Sequence, residues 1–132
     1  MLTSDAFKTI DFFEDNNLYI ENSSELDLTA LAKLLGVSQK DLAKAFNISE
    51  SQITRKQAMS DNKFVAQWMA VFNMLTTHIQ ETEPEISSEK LRLKMSRWLK
   101  MPNMHFSNFS PLMIMLQGKT RRVIKLLEQI TG

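Results

Sequence analysis

Cysteine is absent from this chain of 132 residues, so it can form no disulfide, thiol nucleophile or thiolate zinc site. Only three glycines and three prolines occur, which leaves few obligatory turns and favours helices. The two histidines, His78 and His105, lie in different segments with no nucleophile or ligand-spaced partner nearby. No glycine-rich phosphate loop is present, and the closest acids, Glu81, Glu83 and Glu85, fall in a linker that offers no burial to set one apart from another. The chain is therefore not expected to be an enzyme, and no metal, cofactor or small-molecule substrate is expected. No apolar run approaches the roughly 20 residues a bilayer requires, and the N-terminus has no basic stretch leading into an apolar one. The expectation is a cytoplasmic protein with no membrane partner.

What is present suits a helical globule. Hydrophobic residues make up 43% of the chain and charged residues 23%, enough for one domain or two small ones sharing a core. The net charge of +1 hides a polarity: residues 1–50 carry nine acids against four lysines, a balance of −5 that leaves +6 for the remainder. That asymmetry suits a basic surface meeting an acidic polymer, and it also suits ordinary helix-surface composition.

Residues 41–57 read as two short helices joined by a tight turn. Leu42, Ala43 and Phe46 form an apolar stripe, Asn47 suits a left-handed helix end, and Ile48 fills the corner. Ser49 with Gln52 three positions later makes a capping box, and Ile53 is the core anchor of the second helix. Small Ala43 at the crossing lets the helices approach. Ser49, Ser51, Gln52, Thr54, Arg55 and Lys56 are left as candidate DNA-binding residues, since hydroxyls, an amide and cations on a short helix can read base edges and hold phosphates. A solvated helical hairpin fits the same pattern. A competing frame places Ala32, Gly36 and Leu42 at the helix-turn-helix positions, with Lys40 and Lys44 on the trailing helix. The later frame carries the denser set of readers.

Along the chain, residues 1–25 form an N-terminal arm with a helix over 4–15 that buries Phe7, Ile10 and Phe13, followed by an untyped Leu18-Tyr19-Ile20. Asp27 caps a helix burying Leu28, Leu31, Ala32 and Leu35, and Gly36 stops it. Residues 26–80 thus hold the helix-turn-helix and a long helix after residue 61, with Phe64, Trp68, Phe72, Leu75 and Ile79 on one face. Residues 81–87 are an acidic, proline-containing linker. In 88–132, Ser88 caps a helix with Leu91, Met95, Trp98 and Leu99 inward and a basic outer surface. Ser110-Pro111 launches a short apolar helix, and a last helix turns Val123, Leu126, Leu127 and Ile130 inward.

The second half carries Arg97-Trp98-Leu99-Lys100-Met101-Pro102-Asn103, then Ser110-Pro111-Leu112, then Gly118, Arg121, Val123, Leu126-Leu127 and Ile130. This pattern resembles the C-terminal toxin-binding domain of Xre/MbcA/ParS-type antitoxins, and the upstream stretch from Leu42 to Lys56 is similar to the Xre-like helix-turn-helix of the same family. The resemblance covers residues 26–131. Two departures stand out: Ser107-Asn108 replaces the usual Gly-Gly turn, and Thr120 replaces the second glycine of the ending.

The resemblance implies an all-α fold, an Xre-like helical domain followed by a small helical toxin-binding domain. It implies a type II antitoxin that sterically neutralises a RES-domain, NAD-consuming toxin and represses its own operon by binding operator DNA as a homodimer. Pro102, Asn103, Lys119, Arg121, Arg122 and Gly132 are the candidate toxin contacts. The alternative is a stand-alone helix-turn-helix regulator whose C-terminal part serves dimerisation or another partner.

Overall fold

The computed structural model describes residues 10–55 and 61–131; Phe7, Lys56 and Gly132, and the expected helix before residue 10, lie outside these. Helix dominates the described residues, and the only β pairing among them is an isolated antiparallel bridge between Tyr19 and Leu26. The helices in order are α1 (Phe12–Asp15), α2 (Leu28–Leu35), α3 (Gln39–Phe46), α4 (Glu50–Thr54), α5 (Lys63–Thr82), α6 (Ser88–Lys100), α7 (Pro111–Leu116) and α8 (Thr120–Thr131). A single 3-10 turn over Met104–Phe106 precedes α7. No helix among the described residues is long and apolar enough to cross a membrane.

Long α5 is the axis of the core. Val65, Trp68, Val71, Phe72, Leu75 and Thr76 are buried along it, and α8 packs lengthwise against it with Val123, Leu126 and Leu127 inward. The N-terminal arm is docked onto the same helix. Phe12 and Phe13 each stack near Phe72, with centroids 5.4 and 5.6 Å away, and the Ile10 N–H donates to the Gln80 side-chain oxygen at 2.8 Å. Thr76 is the one polar side chain buried in α5, and its hydroxyl is satisfied by the Phe72 carbonyl at 2.8 Å.

Several expectations need correcting. A helix through residues 10 and 11 is excluded because Asp11 is an extended N-cap whose carboxylate accepts from the N–H groups of Phe13 and Glu14, so α1 begins only at Phe12. Residues 18–20 are extended and pair across the loop to Leu26. Ser87, rather than Ser88, caps α6 and accepts from Lys90 N–H at 3.2 Å. Trp98 is only half-buried, and Ile130, expected inward, is exposed because Val123, Leu126 and Leu127 already fill the α5-facing stripe of α8.

Residues 81–87 connect two parts that share one core. Buried side chains from Phe12 to Leu127 form a single cluster, α3 packs on α7, and Ile86 within the connection is itself buried.

Candidate nucleic-acid and partner interfaces

The chain makes the same corner twice, eleven positions apart. Gly36 (φ 70°) ends α2 and Asn47 (φ 56°) ends α3, both left-handed. At each corner the next N–H reaches back to an alanine carbonyl five residues earlier, Val37 to Ala32 and Ile48 to Ala43, both at 3.0 Å. Ser38 and Ser49 then cap the following helices through Asp41 N–H and Gln52 N–H. Both competing frames therefore have the same left-handed corner and capped helix start, and exposure separates them. Leu42, Ala43, Ala45 and Phe46 of α3 are buried between α2, α4, α5 and α7, leaving Lys40, Asp41 and Lys44 and the capping Asn47 as a narrow exposed strip. In α4 only Ile53 is buried.

Geometry also shows how many of the α4 candidates have free functional groups. Ser49 and Gln52 close a complete capping box, with the Ser49 N–H donating to Gln52 Oε1 at 2.8 Å; Gln52 is half-buried and keeps only its amide N–H groups. The Thr54 hydroxyl is 3.1 Å from Gln39 Oε1 and 3.2 Å from the Glu50 carbonyl, so it too is engaged. Ser51 is exposed and shares a hydroxyl contact with Ser49 at 3.0 Å. Arg55, the exposed C-cap residue, is the α4 candidate whose side chain has no recorded partner among the described residues. Glu50 in the first turn places a carboxylate beside these groups. The helix is held from behind by Thr29 of α2, whose hydroxyl donates to the Ile53 carbonyl at 3.2 Å.

The second surface is the turn between α6 and α7. Pro102 is exposed, but Asn103 is half-buried and is the hub of the turn. Its N–H donates to Phe109 O at 3.2 Å, its carbonyl accepts from Phe106 and Asn108 at 3.0 Å each, and its side-chain oxygen accepts from His105 N–H at 2.9 Å. Asn103 thus builds the surface more than it presents itself. Ser107 (φ 54°) and Asn108 (φ 70°) both take the left-handed conformation that a Gly-Gly pair would take freely, so this departure keeps the turn. Thr120 is buried at the start of α8. Lys119, Arg121 and Arg122 are exposed, and the Arg122 guanidinium lies 5.6 Å from the centroid of the buried Phe106 ring, which ties that cation to the turn.

Sequence reasoning missed the most conspicuous residues here. Met101, Met104, Phe109 and Met113 are four of the six large hydrophobics exposed in the described structure, and Met104 is 82% exposed. Met101, Met104 and Phe109 lie in or beside the Pro102-Asn103 turn, and Met113 lies on α7. The signal was available: apolar residues set among turn formers, with no helical stripe to join. Among the described residues no group of three or more His, Cys, Asp or Glu side chains is placed to hold a metal ion. Compared with family models, with curated proteins and with solved structures, the chain matches none.

Proposed function

We propose that this chain is an antitoxin of the Xre/MbcA/ParS type, which caps a RES-domain, NAD-consuming toxin with its C-terminal part and represses its own operon through α3 and α4. The observation that carries this reading is the exposure of Met101, Met104 and Phe109 in and beside the Pro102-Asn103 turn, with Met113 also exposed on α7. Exposed apolar side chains on a turn, with the exposed cations Lys119, Arg121 and Arg122 at the start of α8 and Arg122 over the Phe106 ring of that turn, have the composition of a protein-docking surface. Methionines suit it, because their unbranched, polarisable side chains adapt to a partner's relief. Neutralisation is then steric: the docked chain covers the toxin's NAD pocket.

For operator binding, the support is the exposure of α4 and the Arg55 guanidinium, which has no partner among the described residues. Ser51 and the Gln52 amide N–H groups are the remaining donors on that face. A two-fold dimer presents two such helices to half-sites about one helical turn apart. Co-expression with the product of the adjacent gene tests the reading. The expected result is a stable complex in which NAD consumption stops, and which Met104→Asp with Phe109→Asp disrupts. A chain that binds DNA but forms no such complex is a stand-alone regulator, and the antitoxin reading is then wrong.

A further inference from the structure

A second cationic surface lies outside α4. Thr29 and Lys33 sit one turn apart on α2, about 6 Å along the helix, and Thr29 is the residue that bonds the C-terminal end of α4 beside Arg55. Lys33 also lines a shallow groove with Arg92 of α6, over a floor of Leu18, Ala30 and Leu34. Asn16 completes the lining, and among the described residues no carboxylate takes part. Further along, the Lys100 ammonium nitrogen stands 3.6 Å from where a Cβ on Gly36 would lie, so a second cation of α6 reaches the end of α2.

Lys33 and Arg92 are exposed, and neither has a recorded ion-pair partner among the described residues, whereas Lys94 on the same helix is paired with Glu83. Two cations from separate helices, brought together with no compensating acid among the described lining residues, form a place for an anion. Continuity with Arg55 through Thr29 suggests which one.

We propose that the α2–α6 groove is a phosphate-contact surface for duplex DNA, so that the footprint runs from Arg55 across Lys33 to Arg92 and is built by both halves of the chain. This rests on the DNA-binding part of the function proposed above. The contacts position the backbone and carry no sequence information, because ammonium and guanidinium groups on a groove of this kind meet phosphate oxygens and not base edges.

Affinity of the full chain for a mixed-sequence duplex, measured by anisotropy across a salt series, tests it. Lys33→Gln with Arg92→Gln should lower the slope of log K against log salt by about 0.9 per cation removed, with sequence preference unchanged. Lys125→Gln, an exposed cation on α8, is the control and leaves the slope as it was. Both variants alter exposed side chains, and matching circular dichroism melts confirm their fold.

If Arg55→Ala weakens binding while the double variant keeps the wild-type slope, the groove proposal is overturned and the α4 reading survives. If the wild type shows no salt-dependent duplex binding, both fall. If the double variant binds poly-glutamate less well but keeps the duplex slope, the groove belongs to an acidic polypeptide and the proposal is again overturned.

Discussion

Replacing Ile53 with alanine tests how the short helix α4 is held. Ile53 has no exposed surface and is the only buried side chain in a helix of five residues. The substitution removes the equivalent of three methylenes, about 2.4 kcal/mol at ~0.8 each. A rigid cavity adds to this, and measured losses for buried aliphatic-to-alanine changes run from about 2 to 5 kcal/mol. Because α4 lies at the edge of the core, the chain has a second response: the helix releases its single anchor and local undocking limits the loss to the lower end of that range. Urea unfolding followed by circular dichroism gives the global number. Hydrogen exchange at the Gln52 and Arg55 amides, which bond Ser49 Oγ and the Ser51 carbonyl, reports the local one. We expect a loss of about 2–3 kcal/mol together with faster exchange at both amides, and roughly 0.5–1.5 kcal/mol for Ile53→Val. A loss below about 0.5 kcal/mol for Ile53→Ala, with both amides still protected, refutes the single-anchor account.

Three other outcomes follow from individual side chains. Ser107→Gly should raise stability by up to about 1 kcal/mol in thermal unfolding, since serine at φ 54° bears a left-handed penalty of roughly 1–2 kcal/mol that glycine avoids, less the greater chain entropy glycine loses on folding. Arg55→Ala should weaken duplex binding by about 1–3 kcal/mol if the guanidinium reads a base; an equal loss on every sequence identifies a phosphate contact, and equilibrium titration against several duplexes separates the two. The Tyr19 hydroxyl is pushed from 10.0 up to about 12, first by burial, then by the Asp11 charge and the hydrogen bond to Asp11, and then by Glu14. A phenol held protonated in this way contributes stability that is complete below pH 10 and lost as pH rises through 12, so Tyr19→Phe should flatten the stability profile in that window.

Local signals in the chain reached the correct helices almost everywhere after residue 26. Asp27, Ser49 and Ser110 each cap the helix expected of them, and Gly36 and Asn47 take the left-handed ends. The buried stripe of α2 also falls where the 3.6-residue period places it, and in α5 Trp68, Phe72 and Leu75 are buried as expected whereas Phe64 and Ile79 are only half-buried. These features are encoded within a turn or two of helix, so neighbouring residues suffice to specify them.

Other properties required the folded chain. Thr54 looks free on paper, yet its hydroxyl reaches Gln39 on a different helix. Asn103 is consumed by its own turn, while Met104 and Phe109 are left in solvent. The acidic stretch at 81–87 resembles a boundary, but α8 folds back along α5 and makes one core from both sides of it. Lys33 and Arg92 are far apart in sequence and share a groove only because the fold brings them to one place. Caps and periodicity act over a few residues and can be read from order alone; which polar groups are already used, which apolar ones stay uncovered, and which cations become neighbours depend on contacts between distant segments, and only tertiary packing decides those.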